Sequence, residues 1–413
     1  MKILVLTRNA WDDTNSIGNT ISNFFSDFKG AEFANIYFRS SRPDNNLCDK
    51  YFRVTEKDIL KNFFSKEKIG EKIIGFPTKD QRVKARSNEK KLISAIHKYN
   101  LKFFYTISNG LFNSKKWINR KLDDFIKEFN PDVVFSFAKS APQYYLTLEH
   151  IHKKFGKKIV LWIADDEYTA LKSANTKDSL RSVERLKYII GAASKVYGCS
   201  KEICSYYNGI FNCNAVPLYK SCRFVQPVRT AVNTPIRIVY AGNLLFGRFK
   251  TLCDIVNKLS DLNLSENKFF LEIYSNTLIS EEQKRKLTVD GVSVFCGQRP
   301  YEEIKNIFSS SDILLLVESF EKSEIVKTKY SFSTKIIDCL QSGSSVLAIG
   351  PKEISTIKYV SSIPGAAVVN DIHGFENFAR EIADNPESLL TCAAQIRKFA
   401  IEHHSPDYDW LNI

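Results

Sequence analysis

The sequence has no long apolar run: none of its 413 residues fall in a stretch of about 18 consecutive apolar side chains, the length that a membrane-spanning helix needs. The opening stretch, MKILVLTRNAWDD, turns polar after six residues, which is too soon for the apolar region of a signal peptide. We therefore expect a cytoplasmic protein without a membrane span.

The sequence also lacks paired cysteines. Its nine Cys form no CxxC pair and no Cys/His cluster with zinc-ligand spacing, so a structural zinc site is not expected. Several of them stand inside apolar strand patterns, as in KVYGCS and VSVFCG, where a free thiol packs as a small hydrophobe. We interpret them as reduced core residues.

Charge is distributed unevenly along the chain. Residues 1–230 contain 40 Lys and Arg against 23 Asp and Glu, a balance of +17, whereas residues 231–413 contain 19 against 23, a balance of −4. Residues 82–127 alone have 12 Lys and Arg and three acids, with Phe, Tyr and Trp interleaved. Such a stretch fits an anionic membrane surface, or equally a surface helix whose aromatics face the protein's own core. Nucleic acid is not expected as a partner, because no known nucleic-acid-binding motif accompanies the charge.

Short β-rich runs alternate with helical periodicity, which predicts βαβ units and parallel sheets. In the first half the predicted strands are 2–9, 33–40, 132–138, 159–166 and 195–200; in the second half they are 236–243, 269–276, 292–297, 312–319, 344–350 and 366–371. Prolines interrupt the chain between about 220 and 235. The pattern predicts two doubly wound, Rossmann-like α/β domains facing a cleft: residues 1–230 and residues 231–397, with a tail from about 398 to 413 that packs back on the first.

One candidate anion site lies in YAGNLLFGRFKT, residues 240–251. Gly242 allows a tight turn after a strand, and Arg248 and Lys250 follow at the start of a helix. Free amides, the helix dipole and two cations together favour phosphate.

A second candidate lies in SFSTKIIDCLQSG, residues 331–343. Ser333 or Thr334 suits an N-cap, Lys335 lies in the first turn, and Asp338 follows three positions later on the same face. A cation at the helix start fits a diphosphate and the carboxylate fits ribose hydroxyls, although a capped helix with a chance ion pair explains the same residues.

These segments together resemble GT-B glycosyltransferases of the group 1, family 4-like retaining type. AGNLLFGRFKT is similar to the family's Gly turn with an Arg/Lys pair, and STKIIDCLQSGSSVLAIG is similar to its Lys, acid and small-Gly segment, with Asp338 where a ribose-binding Glu usually stands. FCGQRPYEEIKNIFSSSDILLLVES is similar to a passage whose loop contacts the nucleotide base, which implies a donor role for Gln298 and Arg299. The resemblance covers residues 130–400 and nearly vanishes between 40 and 130.

The resemblance implies a hexosyltransferase-like enzyme that uses a nucleoside diphosphate sugar, needs no metal or other cofactor, and favours retention over inversion. The usual pair of Glu separated by seven residues is missing, which leaves the stereochemistry open. The basic first half makes a lipid-linked acceptor at the inner membrane face our expectation, as in surface polysaccharide assembly. Two alternatives share the fold: a nucleotide-sugar 2-epimerase, and a non-catalytic partner of a true transferase.

The first domain should bind the acceptor, and its candidate catalytic residues stand at strand ends. Asp13 follows the first strand, and Asp165 and Asp166 end IVLWIADD. A carboxylate there can orient or deprotonate an acceptor hydroxyl, although strand-end Asp residues often only cap the next helix. The segment WIADDE, which contains Asp165 and Asp166, could instead be the metal-binding acidic motif of a GT-A glycosyltransferase. Two sequential Rossmann-like domains argue against that interpretation.

Overall fold

The structure is a computed structural model that describes residues 1–75, 101–223, 226–263, 268–407 and 409–411, with the backbone alone for residues 101–105. Within these residues, no helix combines the length and the apolar character needed to cross a bilayer. The chain divides into two compact units. Unit 1 comprises Met1–Leu218 with Tyr408–Ile413, and unit 2 comprises Tyr219–Asp407.

The unit boundary therefore comes twelve residues before the position 231 that the prolines suggested, and the second unit extends beyond 397. The residues after Leu218 bond to unit 2: Lys220 pairs with Asp338, and the Cys222 N–H donates to the His404 carbonyl. Polar sequence and prolines indicated a linker, but these contacts make the segment part of the second unit.

Unit 1 has an eight-stranded sheet in the order β4-β3-β2-β1-β5-β6-β7-β8, parallel except for β4. The strands are β1 Lys2–Thr7, β2 Glu32–Tyr37, β3 Lys50–Arg53, β4 Glu71–Ile74, β5 Val133–Phe137, β6 Lys158–Ile163, β7 Lys195–Gly198 and β8 Val216–Pro217. The described helices are α1 Ser16–Phe25, α2 Glu56–Lys61, α3 Leu101–Asn113, α4 Arg120–Phe129, α5 Pro142–Phe155, α6 Glu167–Ala174, α7 Lys177–Gly191 and α8 Lys201–Phe211, with a 3₁₀ turn at Lys66–Lys68.

Unit 2 has a six-stranded parallel sheet in the order β11-β10-β9-β12-β13-β14. The strands are β9 Ile236–Ala241, β10 Phe269–Tyr274, β11 Ser293–Gly297, β12 Ile313–Val317, β13 Ser345–Ile349 and β14 Ala367–Val369. The described helices are α9 Arg248–Leu262, α10 Glu281–Lys286, α11 Tyr301–Ser309, α12 Lys322–Thr328, α13 Lys335–Leu340, α14 Ser355–Ser361, α15 Ile372–Asp384 and α16 Ser388–His403.

Two largely parallel sheets with helices around them confirm the predicted α/β class. Each predicted strand is present, because strands buried on both faces read as continuous apolar runs: β1, β5, β12 and β13 are buried along almost their whole length. The short strands β3, β4 and β8 were not predicted. β4 and β8 are the two edge strands of the first sheet and β3 lies next to β4, and all three have too few apolar residues to mark them in the sequence.

The basic stretch 82–127 is only partly described: residues 82–100 and the side chains of 101–105 lie outside the described residues. In the remainder, Phe112 and Trp117 are fully buried, and the Trp117 indole N–H donates to the Phe112 carbonyl. For these two aromatics the interpretation as core residues is correct, and membrane contact by this stretch stays a prediction.

The last described residues complete the core of unit 1. The Trp410 ring lies 5.5–5.9 Å, centroid to centroid, from the rings of Phe24, Phe25, Phe28, Phe135 and Tyr197. The Tyr197 hydroxyl also donates to the Trp410 carbonyl. Aromatic pairs of this kind add to the free energy gained from area burial alone.

Replacing this ring should destabilise unit 1. We expect Trp410→Ala to lower its free energy of unfolding by about 3–5 kcal/mol, because truncation leaves a cavity among five aromatic rings. Urea unfolding of the full chain measures the change. The exposed neighbour Asp409→Ala is the control, and an equally small effect of both substitutions would contradict the assigned packing.

Candidate functional site

The sheet of unit 2 reverses its strand order between β9 and β12, which are neighbours in space but far apart in sequence. In doubly wound sheets, ligands bind in the crevice outside the carboxyl ends of the two strands at such a switch point. Here the loop after β9 contains Gly242 to Gly247, and β12 is followed by Glu318 and Ser319.

Arg248, the first residue of α9, connects both sides of this switch point. Its Nε donates to the Val317 carbonyl at 3.0 Å, one terminal nitrogen donates to Asn243 Oδ1 at 2.9 Å, and the other reaches both carboxylate oxygens of Glu318 at 2.8 and 3.0 Å. The guanidinium is thus held by three partners before any ligand arrives, and most of its donors are already used.

Glu318 is the buried half of this ion pair, with 3% of its surface exposed. Burial raises the pKa of its carboxyl, and the charge and hydrogen bonds of Arg248 oppose the rise. Neither group would be tolerated there alone, since an unpaired buried charge costs several kcal/mol.

Lys335 contributes a second cation beside this pair. Burial lowers the pKa of its ammonium, Arg248 lowers it further, and the carboxylates of Asp338 and Glu318 oppose that effect. No described residue forms a hydrogen bond or an ion pair with this ammonium. Lys335 is half-buried, and its ammonium has no partner in the described part of the chain, whereas the neighbouring Arg248 is already paired with Glu318. An anion would therefore gain most of its binding free energy from Lys335.

The hydroxyls of Ser333 and Thr334, which precede Lys335, also lack a hydrogen-bond partner among the described residues. Thr334 stands at the N-cap position of α13 as predicted, but its backbone has helical dihedrals and its side chain makes no capping bond. A capping side chain needs an extended backbone. Ser333 uses its backbone N–H to bond Thr356 Oγ1, and within the described residues neither hydroxyl has a hydrogen-bond partner.

Only one of the two carboxylate oxygens of Asp338 accepts hydrogen bonds from the described residues. Its Oδ1 accepts hydrogen bonds from the Lys220 ammonium at 2.9 Å and from the Tyr301 hydroxyl at 2.8 Å, whereas Oδ2 accepts none from the described residues. The side chain of Lys220 is buried, so this ion pair is largely removed from water. Two donors on one oxygen fix the carboxylate and leave the other oxygen available.

The remaining donor-site candidates are Lys250, Gln298, Arg299 and Gly242. Lys250 is two-thirds exposed, and its ammonium lies 3.8 Å from Asp254. Gln298 and Arg299 follow the edge strand β11, two strands away from the switch point, and Arg299 faces Glu303 at 3.8 Å. Gly242 follows β9 in a position where a Cβ would come within 2.5 Å of the Tyr240 hydroxyl. Their contacts with a donor stay predictions.

In unit 1 the corresponding switch point lies between β1 and β5, and Asp13 is in the loop after β1. Burial, the largest cause, raises the pKa of the Asp13 carboxyl to about 6 against the opposing hydrogen bond from Ser22, and the charges of Asp12 and Asp44 add to the rise. A carboxyl with this pKa can accept a proton near neutral pH.

Asp165 and Asp166 have different environments. Asp166 is the N-cap of α6 and accepts from the Thr169 N–H at 3.1 Å, which is the capping role that the sequence left open. Asp165 is mostly exposed, with Lys139 at 3.5 Å. A catalytic role for either stays a prediction.

Sequence reasoning missed three contributors: Glu318, Lys220 and Tyr301. An acid directly after the buried strand 312–317 was a usable signal for Glu318, because strand ends face the ligand crevice. Lys220 stands in a Pro-bounded stretch and Tyr301 opens an ordinary surface helix, so neither had a local pattern to mark it. Among the described residues no group of three or more His, Cys, Asp and Glu side chains is placed to hold a metal ion.

Solved structures with the same fold cover nearly the whole chain. Sucrose-phosphate synthase from Thermosynechococcus elongatus matches 98% of this chain and 95% of its own, with a TM-score of 0.62 and 10% identity. The Anabaena protein HepE, in complex with UDP and glucose, matches 98% and 96%, with a TM-score of 0.63 and 10% identity. WaaG, a glycosyltransferase involved in lipopolysaccharide biosynthesis, matches 98% and 96%, with a TM-score of 0.58 and 11% identity.

No protein-family model matches the sequence, and no curated protein sequence matches it either. At these identities the structural neighbours show a shared fold. The fold is that of GT-B glycosyltransferases, which confirms the fold that the resemblance implied.

The Arg248–Glu318 pair makes a testable prediction about stability. Arg248→Met should cost about 3–5 kcal/mol in the free energy of unfolding of unit 2, because Glu318 is left buried without its partner. The double variant R248M/E318L should recover most of that loss, since it removes both charges. Urea unfolding compares the two, and a double variant less stable than the single would contradict this account of the pair.

Proposed function

We propose that the chain is a glycosyltransferase that moves a sugar from a nucleoside diphosphate sugar to an acceptor hydroxyl. The unpaired ammonium of Lys335, half-buried beside Arg248 at the switch point of unit 2, is the observation that carries the proposal. The shared fold supports it, and the UDP and glucose in the HepE complex suggest the class of donor.

In the proposed donor complex, Lys335 and the hydroxyls of Ser333 and Thr334 bind the diphosphate. Arg248 adds its charge through its remaining N–H and Lys250 adds long-range attraction. The free Oδ2 of Asp338 accepts a ribose hydroxyl. The backbone at Gly242 and the loop of Gln298 and Arg299 contact the sugar and the base.

The reaction breaks the bond between the sugar C1 and the diphosphate oxygen and forms a bond from C1 to the acceptor oxygen. Negative charge develops on the leaving diphosphate, and fixed cations at Lys335 and Arg248 stabilise it without reorganising. The acceptor proton passes to a carboxylate, for which we propose Asp13, whose pKa is raised by burial, with Asp165 and Asp166 as the other candidates. We propose that no metal is required and that the acceptor oxygen attacks C1 from the same face that the diphosphate leaves, so that the configuration at C1 is retained.

For the acceptor we propose a sugar hydroxyl, free or lipid-linked, in surface polysaccharide or glycoconjugate assembly at the cytoplasmic face of the membrane. The positive balance of residues 1–230 supports an anionic setting. WaaG, described as involved in lipopolysaccharide biosynthesis, is a structural neighbour with this kind of role.

Lys335 provides the direct test of the donor site. We expect Lys335→Ala to weaken UDP binding at least about tenfold, because a charge-assisted contact to phosphate is lost, while the melting temperature stays near that of the unaltered chain. Titration calorimetry and thermal unfolding give the two values.

The matched control is Lys286→Ala, which removes an exposed lysine paired with Glu282 elsewhere in unit 2. It should leave UDP binding unchanged. If Lys335→Ala binds UDP as well as the control does, the assignment of the diphosphate site is wrong.

Asp13 makes a prediction about pH. A base must be deprotonated to act, so kcat/KM should fall as the pH drops through about 6. Ser22→Ala removes a hydrogen bond that lowers the pKa of Asp13, so the acidic limb should move to higher pH. Asp13→Asn should abolish turnover, and a limb that stays in place in Ser22→Ala would exclude Asp13 as the titrating group.

The products separate this proposal from its alternatives. Nuclear magnetic resonance of the glycoside gives its anomeric configuration and so tests retention. Formation of an epimeric nucleotide sugar without any acceptor would contradict transfer as the activity.

A further inference from the structure

Unit 1 displays an almost completely exposed phenylalanine. The Phe64 side chain is 97% exposed, and Leu60, one turn earlier, is 59% exposed. Lys57, Leu60 and Lys61 share a face of α2 through spacings of three and four residues, and Phe64 continues the series in the turn that follows. Two apolar tips thus stand beside ammonium groups on one surface.

The charge around these tips has one dominant sign. Lys57, Lys61, Lys66 and Lys68 are exposed and form no ion pair with a described residue. The neighbouring acids are largely committed elsewhere: Glu56 pairs with Arg39, and Asp58 closes the capping box of α2 with Thr55. Glu67 is the remaining exposed acid in this segment.

The segment that bears Phe64 is held firmly. The Lys116 ammonium lies 3.4 Å from the ring centroid of Phe63 and donates to the Phe63 carbonyl at 2.7 Å. Asn119 Nδ2 donates to the carbonyls of Lys66 at 2.6 Å and Ile69 at 2.9 Å. The same ammonium lies 5.4 Å from the ring centroid of Phe64, and the Phe63 and Phe64 rings are 5.5 Å apart. These contacts hold the backbone that displays the exposed Phe64 ring.

The position in the sheet places this surface at the ligand edge of unit 1. In the antiparallel pair β3·β4, Arg53 at the carboxyl end of β3 lies opposite Glu71, the first residue of β4. Residues 54–70 therefore span the carboxyl edge of the sheet. Because β1, β2 and β3 are parallel, the loop with Asp13 leaves the sheet at the same edge.

We propose that Lys57, Leu60, Lys61, Phe64, Lys66 and Lys68 form a docking surface for an anionic lipid bilayer, with Leu60 and Phe64 in the headgroup layer and the lysines on lipid phosphates. Apolar tips beside basic side chains are the composition of interfacial membrane contacts. An acidic protein fits less well, because protein interfaces have more Arg and less Lys than other surfaces and need a larger apolar centre than two side chains.

This surface lies outside the stretch 82–127 that the sequence suggested. It rests on the proposed function in one respect only: docking at this edge would bring a lipid-linked acceptor to the Asp13 side of unit 1.

Vesicle co-sedimentation of the full chain tests the proposal. The unaltered chain should bind vesicles of phosphatidylcholine with phosphatidylglycerol, and far less those of phosphatidylcholine alone. K57Q/K61Q/K66Q/K68Q should lose about fivefold in partitioning for each lysine removed, and L60S/F64S should also lose binding. The matched control L278S/K284Q/K286Q, built on Leu278 of unit 2, which is 85% exposed, should bind as the unaltered chain does.

Phe64→Trp gives a second measurement, the emission spectrum of the introduced indole, which would not change with vesicles if position 64 had only a structural role. The fluorescence of the introduced indole should shift to the blue with anionic vesicles and be quenched by brominated lipid. Vesicle binding that is equal in all variants, with an unshifted emission spectrum for Phe64→Trp, would overturn the proposal and leave this face to an acidic protein.

UDP calorimetry on the same variants keeps the two proposals apart. L60S/F64S should bind UDP normally, since the altered residues lie in unit 1. A chain that binds anionic vesicles through this surface but binds no nucleoside diphosphate would refute the proposed function alone, whereas a chain that binds a nucleoside diphosphate but no vesicle would refute the docking surface alone.

Discussion

The buried pair of Arg248 and Glu318 is the interaction on which the switch point of unit 2 depends. Arg248 joins the end of β12 to the loop after β9, and Glu318 makes it possible to keep a guanidinium at that depth. The pair neutralises itself and leaves the neighbouring Lys335 as the excess charge. The switch point thereby holds two cations without leaving both of them unpaired, which the unit would tolerate poorly.

The switch point of unit 1 has the opposite charge environment, with carboxylates in place of cations. Asp12 and Asp13 of the loop after β1 lie close to Asp44 of the loop after β2, and the charges of Asp12 and Asp44 add to burial in raising the pKa of Asp13. A proton acceptor and an anion site need opposite environments. Placing each at the carboxyl edge of a separate sheet lets one chain hold both, because each sheet sets the burial and the neighbouring charges of its own cluster.

The sequence was informative wherever the chemistry was local. Strand runs such as ILLLV and the order of the motifs predicted the α/β class, and helix spacing grouped Lys335 with Asp338, although their assignment to a donor site also needed the family resemblance. Contacts between distant positions left no such trace: Lys220 lies 118 residues before its partner Asp338, and Arg248 lies 70 before Glu318. Thr334 shows a subtler failure, since its residue type favours capping but the chain holds its backbone in a helical conformation. The exposure of Phe64 could not be predicted either, because two consecutive phenylalanines are typical of a buried segment.

The packing of Trp410 has a consequence for how the chain is made. Ribosomal synthesis delivers Leu218 long before Trp410, and domains generally fold as they emerge. The aromatic cluster around Phe25 and Phe135 must therefore wait, with a ring-sized gap in its core, until all of unit 2 has been synthesised. A nascent chain stalled within unit 2 would carry an incomplete first unit, and that would be a substrate for chaperones and proteases. The unit that is synthesised first is thus the last to be completed.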